Sequence, residues 1–227
     1  VRRRAAGAYA AGGGRARAAA GGSGDGGGAL GPLGGTVGDG GSTTVETAES
    51  HFAEQAAALI EGGVDLLLLE TFGTVEELEA AVRAVRRLSA LPVVAQMATG
   101  EDGRSLDGVA PEQFARTLSA HGATMVGVNC GAGPAATLES VEQMAEATDA
   151  PLSAQPNAGG PKEVEGRRLV LSSPEFLASY ARRYVAVGVG LVGGCCGTTP
   201  AHIARIKQAV MALSAPRSVP AWSPASV

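Results

Sequence analysis

Aromatic side chains make up only 4% of this 227-residue chain, with a single tryptophan. A core drawn from the 45% hydrophobic residues therefore has to be packed from Ala, Val and Leu, which suits an α/β protein. The length allows one sizeable core, in one or two domains. Neither sign of charge is in excess: the net charge of −4 gives no reason to expect a nucleic acid or an anionic membrane surface as partner. No apolar run approaches the roughly 18 residues that cross a bilayer. The opening VRRRAAGAYAAGGG is basic but lacks the apolar stretch of a signal peptide, and there is no initiator Met, so the chain is expected to begin inside a longer gene. Cysteine is scarce and odd in number, at three. Without a secretion signal, that argues for reduced thiols in the cytoplasm and against a disulfide framework.

Those three cysteines are nevertheless the most informative residues. Cys130 closes the run TMVGVNC, and the doublet Cys195–Cys196 sits in GVGLVGGCCGTTP. Each run reads as a buried strand breaking into a glycine-containing loop. If both strands belong to one parallel sheet or barrel, the three thiols converge on one face. Three thiolates with one open position describe a zinc site built for chemistry, since structural zinc sites fill all four positions with protein ligands. Two blander readings stand beside this one. Cys130 alone suits a small buried hydrophobe, and the vicinal pair suits a strained disulfide with a redox role.

Along the chain, residues 1–43 are dominated by Gly, Ala and Arg, and GGSGDGGGALGPLGG has little to bury, so this segment is expected to be weakly ordered. Regular patterning begins at Thr44. A helix is expected from Val45 to Ile60, stopped by Gly62–Gly63. Thr74 and Glu77 have the spacing of a capping box ahead of a second helix. Pro111, Pro174 and Pro200 fit first helical positions, with Ser173 and Thr199 as N-caps. Between the helices lie apolar runs at 65–71, 92–99, 124–130, 152–157 and 187–194. Continuous apolarity alternating with helices predicts parallel strands covered on both faces. The expected fold is a (β/α) barrel, with an open doubly wound sheet as the alternative. In both, ligands gather at the C-terminal strand ends, where Glu70, Gln96, Asn129, Cys130, Gln155, Asn157 and the cysteine doublet collect. Glu70 is a candidate site residue there, against the alternative of a surface salt bridge. Asp65 reads as structural, and His51, His121 and His202 as solvent-facing. The Pro/Ser-rich end, 213–227, reads as a linker or tail, implying a further domain downstream.

GVNC, QPNAG and GGCCGTTPAHI, in this order, with LLLLETFGTVEELEAA and PVVAQMATGEDGRSLDG, resemble the homocysteine S-methyltransferase family over about residues 44–212. The resemblance implies a (β/α)8 barrel of the TIM type and a catalytic zinc on Cys130, Cys195 and Cys196. It implies that Glu70 holds the amino group of homocysteine; Asn157, as a substrate-binding candidate, and Gln155 are expected either to shape the pocket or to orient the ligands from behind. GGCCGTTP and EDGRSLDG look closer to methionine-synthase-type members, including bacterial proteins fused to a methylenetetrahydrofolate reductase. The family's opening DGAMGT-like and NTF-like strands have no counterpart here. The barrel is therefore expected to be incomplete at its N-terminus, with about six strand–helix units. GALGPLGG would be the remains of the third strand, 1–43 a degraded barrel start, and 44–212 the barrel proper. The implied activity is zinc-dependent methyl transfer to the homocysteine thiol, giving methionine in the cytoplasm. The donor stays open between methylcobalamin, a methylfolate and a sulfonium. No DxHxxG-type segment occurs, so a cobalamin would come from another domain or protein. A catalytically inactive barrel fragment and a thiol redox protein using Cys195–Cys196 are the alternatives.

Overall fold

The computed structural model describes residues 26–131, 133–159, 162–164, 167–169 and 172–213. The expectations for 1–25 and for the tail beyond 213 lie outside the described residues. Strands and helices alternate: β1 (Gly27–Leu30), α1 (Val45–Glu61), β2 (Leu66–Phe72), α2 (Val75–Leu88), β3 (Val93–Met97), α3 (Pro111–Ala120), β4 (Met125–Cys130), α4 (Pro134–Ala145) and β5 (Leu152–Pro156). A short antiparallel hairpin of β6 (Lys162–Val164) and β7 (Arg167–Leu169) follows, then α5 (Pro174–Val187), β8 (Val189–Val192) and α6 (Pro200–Met211).

The main sheet has six strands in the order β1-β2-β3-β4-β5-β8, every neighbouring pair parallel. This is the α/β, barrel-type succession expected from the sequence, with six units. Among the described residues β1 and β8 do not pair, so the sheet is not closed. The glycine-rich GGAL does form a strand, although it has few side chains to bury. It pairs residue for residue with β2 and buries Leu30. Gly28 lets it lie close to α1, since a Cβ there would meet Leu59 and Val64 at 3.1 Å.

Alternation along the strands divides the residues between two faces. Leu67, Leu69, Val93, Ala95, Val126, Val128 and Ala154 point to the helices and join Phe52, Leu78, Phe114, Leu118 and Met144 in the principal core. Each such side chain contributes about 1.5–3 kcal/mol when fully buried. The opposite face carries Gln96, Gly127, Asn129, Ser153 and Gln155, of which the four polar residues are buried. The Gln96 amide nitrogen reaches Ser153 Oγ at 2.9 Å across Gly127, which has no side chain to block it.

Helix starts follow the sequence in most places. Ser173 caps α5 through its Oγ, which accepts from Phe176 N at 3.2 Å, and Gly188 ends that helix in the left-handed region at φ 111°. Two expectations fail. Thr74 makes no side-chain cap, and no capping box forms with Glu77. Glu77 instead accepts from Leu33 N at 2.7 Å, while Asp107 takes the Val75 amide at 3.0 Å. A donor, Leu33 N, and an acceptor, Asp107, both from neighbouring loops, have displaced the local pair. His202 is buried and not solvent-facing. Its Nδ1 accepts from Thr199 N (3.1 Å) and Thr199 Oγ1 (2.8 Å), which leaves Nε2–H to donate to Ser172 O at 3.0 Å. It caps α6 and ties that helix to the chain entering α5.

Candidate metal centre

The site forms where β4 and β8 break into loops on one side of the sheet. β4 ends at Cys130 with φ 57°, followed by Gly131 at φ 62°. Two consecutive left-handed residues turn the chain sharply. Gly131 is required twice over: φ is positive, and a Cβ would lie 2.5 Å from Thr99 O. The cysteine doublet is positioned by backbone pairing continued past β5 and β8. Gly193 N donates to Ala154 O (3.0 Å), Cys195 N to Pro156 O (2.9 Å), and Ala158 N to Cys196 O (2.8 Å). Thr198 closes the turn, donating from both N (3.1 Å) and Oγ1 (2.7 Å) to Cys195 O.

The three sulfurs lie within 4.8 Å of one another, with Cys130–Cys196 at 3.8 Å and Cys195–Cys196 at 4.0 Å. A tetrahedral ion with thiolates at about 2.3 Å needs ligand pairs roughly 3.8 Å apart, so the donor set and its spacing fit a thiolate-bound metal. All three are free thiols, and the doublet is twice as far apart as a disulfide requires. Cys195 is buried, Cys130 half-buried and Cys196 exposed, so the cluster meets solvent on one side.

Electrostatics bind the three thiols into one unit. The Cys195 thiol's hydrogen bond is the main influence pulling the Cys130 thiol down to about 5; burial opposes it, and Cys196, the Gly131 amide and Asn157 add to it. Cys195 and Cys196 move up, each first because it gives its hydrogen bond to the Cys130 thiolate. Without a cation the cluster thus holds one negative charge. A second or third thiolate needs a positive ion among the sulfurs.

Glu70 stands half-buried at the end of β2 on the same side. Burial pushes its carboxyl up, and the negative charge at Cys130 pushes it further, which places the two groups within each other's field. Asn157 follows β5. Its Nδ2 donates to Gly131 O, and its Oδ1 accepts from Gly159 N at 2.9 Å, so it holds the loop behind Cys130. Gln155 is buried, with its amide oxygen lacking a hydrogen-bond partner. The structure therefore brings together all five residues expected from the sequence: the cysteines, Glu70 and Asn157.

Two further residues take part: Asn129, which the sequence places at the strand ends without a role, and Thr71, which it does not mark. Asn129 is buried at 1% exposure, and its Oδ1 accepts from Thr71 N at 2.7 Å. Its Nδ2 donates to Thr71 Oγ1 at 2.8 Å and to Cys195 Sγ at 3.7 Å. Thr71 itself is left-handed, φ 67°, where the β2–β3 register shifts. The Asn beside Cys130 was visible in GVNC; its partners, on β2 and in the loop after β8, were not.

Comparison with known proteins agrees with this geometry. Residues 2–210 match the family described as homocysteine S-methyltransferase. The chain is 32% identical over 190 residues to methionine synthase of Mycobacterium tuberculosis (strain ATCC 25618 / H37Rv), covering 81% of this chain and 16% of that protein. Against methionine synthase of Mycobacterium leprae (strain TN) it is 32% identical over 176 residues, covering 75% and 15%. It thus spans about a sixth of these curated relatives. The fold resembles the apo crystal structure of the Escherichia coli homocysteine methyltransferase MmuM, with a TM-score of 0.65 at 26% identity, covering 81% of this chain and 61% of that one. The metallated form of the same protein matches with a TM-score of 0.60 over 72% of this chain and 51% of that one. With its barrel-type strand order, its three converging thiols and these relatives, the chain belongs to the homocysteine S-methyltransferase family.

Proposed function

We propose that this chain transfers a methyl group to the thiol of homocysteine, forming methionine, at a zinc ion held by Cys130, Cys195 and Cys196. The observation that carries this reading is the convergence of the three sulfurs within 4.8 Å on the C-terminal side of the parallel strands. When bound, zinc supplies the positive charge that holds a thiol as a nucleophilic thiolate at neutral pH, where a free thiol of pKa about 8.5 is mostly protonated.

The chain's own residues do the rest. Cys130, Cys195 and Cys196 as thiolates would over-neutralise a divalent ion, so that it would leave electron density on a substrate sulfur. Glu70, ionised, receives the α-ammonium of homocysteine and aims the thiol at the cluster. Asn157 secures the Gly131 carbonyl and with it the backbone that presents Cys130, at the edge of the substrate pocket. In the transfer the substrate thiol gives its proton to solvent, a sulfur–carbon bond forms, and the bond from the methyl group to its donor breaks. The donor is an activated methyl compound: methylcobalamin, a methylfolate or a sulfonium. Three free cysteines support a cytoplasmic reading, since reducing compartments keep thiols unpaired. No helix among the described residues is long and apolar enough to cross a membrane.

The open sheet favours one second reading, a barrel that has lost its activity. Zinc analysis of the reduced protein separates the two. The proposal expects about one zinc per chain, lost in Cys195→Ser. Glu70→Gln is expected to keep the metal while homocysteine affinity drops tenfold or more, the scale of a charged hydrogen bond. Folded, reduced protein without zinc would overturn it in favour of the inactive barrel.

A further inference from the structure

We infer that Asn129 is a positioning residue that couples amine recognition to the metal ligands, a role that rests on the reading above. Its side chain is the one described group that touches both halves of the site. On one side it fixes residue 71, next to Glu70, through both polar atoms of its amide: Oδ1 accepts from Thr71 N (2.7 Å) and Nδ2 donates to Thr71 Oγ1 (2.8 Å). On the other side the same Nδ2 donates to Cys195 Sγ (3.7 Å).

The backbone explains why such a clamp is needed. Thr71 is β-branched and left-handed, a conformation that persists only when the surroundings over-determine it. It lies in the register shift between Leu69 and Phe72, and this irregularity sets the direction in which Glu70 leaves the strand. The two bonds from Asn129 hold that irregularity in place. The third contact works differently. An N–H donated to a thiolate withdraws electron density from sulfur, so Asn129 sets how strongly Cys195 donates to a metal. Because one planar amide makes all three contacts, moving Cys195 moves Thr71, and the reverse. Homocysteine grips both ends, its ammonium at Glu70 and its sulfur at the cluster. Binding at either end is thereby favoured by the geometry of the other.

The test uses the whole chain, with zinc alone and then homocysteine as probes. Chelator competition reads zinc affinity, and calorimetry reads homocysteine affinity. Asn129→Ala is expected to lose about tenfold or more in each, the usual scale for a partner of a metal ligand. Adding Thr71→Gly to Asn129→Ala is expected to recover part of the homocysteine loss and none of the zinc loss. Glycine adopts φ 67° freely but does nothing for Cys195.

Asn129→Asp guards against a variant that does not fold. It keeps the shape and the acceptor for Thr71 N, but replaces the N–H beside Cys195 with a carboxylate oxygen. In the cobalt(II)-substituted protein its thiolate-to-metal charge-transfer band is expected at longer wavelength than in the parent, a shift that a purely structural role would not produce. Zinc and homocysteine affinities within twofold of the parent in both variants, with an unmoved band, would overturn the inference while leaving the proposed function standing. A parent chain that binds neither zinc nor homocysteine would overturn both.

Discussion

Thr71 and Cys130 are the two non-glycine residues, among those described, with left-handed backbones, φ 67° and 57°. One stands next to last in β2 beside Glu70 and the other ends β4 as a candidate ligand; Asn129 precedes the second and hydrogen-bonds the first. Such conformations cost about 1–3 kcal/mol each and persist where function holds them. Both strained positions of the described chain therefore lie in one site, and the site is where the fold has placed its strain.

The thiol electrostatics predict which cysteine reacts first. In reduced, metal-free protein at neutral pH, iodoacetamide should label Cys130 ahead of Cys196, although Cys196 is the more exposed. Cys130 is the thiolate, held down to about 5, whereas Cys196 is pushed up. Labelling should slow as pH falls through about 5 and should be suppressed by zinc at neutral pH, where the metal holds the thiolates. Peptide mapping by mass spectrometry reads both; first labelling at Cys196 would contradict the assignment.

Gly127→Ala should destabilise the protein by about 1–3 kcal/mol, the usual cost of overpacking. A Cβ there would fall 2.8 Å from the Ser153 carbonyl carbon, which is backbone and cannot swing away. Adding Ser153→Ala should therefore not restore the urea midpoint. A full rescue would show that the hydroxyl alone fills the space.

Glu49 on α1 makes stability depend on acid. Burial pushes its carboxyl up, but Arg83, which donates from Nε at 2.7 Å, and Arg87 outweigh this and hold it below the ordinary value of 4.5. A carboxylate depressed by folding contributes stability above its unfolded value and loses it as pH falls through the folded one. Glu49→Gln should thus lower stability at pH 7 by about 1 kcal/mol or less, since such pairs are partly screened. That difference should shrink below about pH 4.5 and vanish in stronger acid. Urea titrations of both proteins across that range check it; a constant difference would place the effect in packing.

How much of this was legible in the sequence depended on how local each signal was. Strands β2 to β5 and β8 announced themselves as apolar runs between helices, and Ser173 and Pro174 marked α5, because strand burial and capping are properties of a few adjacent residues. The cysteines were legible because identical strand-to-loop breaks at Cys130 and Cys195 imply one shared face. The Thr74–Glu77 box failed because partners remote in sequence serve this helix start: Leu33 N donates to the Glu77 carboxylate and Asp107 takes the Val75 amide. His202 was misread because its Thr199 and Ser172 partners satisfy it inside the fold. The role of Asn129 needed β2, β4 and the loop after β8 to meet, and the GGAL strand needed β2 as a template; neither is written in a single segment.

The separation of the two sheet faces has a consequence for how this protein can change. Its apolar mass lies between strands and helices, whereas the polar row from Gln96 to Gln155 lies on the other side of the same strands. Every second residue of a strand thus answers to a different demand. Substitutions at 96, 129, 153 or 155 alter the polar face without opening a cavity among Phe52, Leu78 and Phe114. The polar face is free to drift while the scaffold stays put.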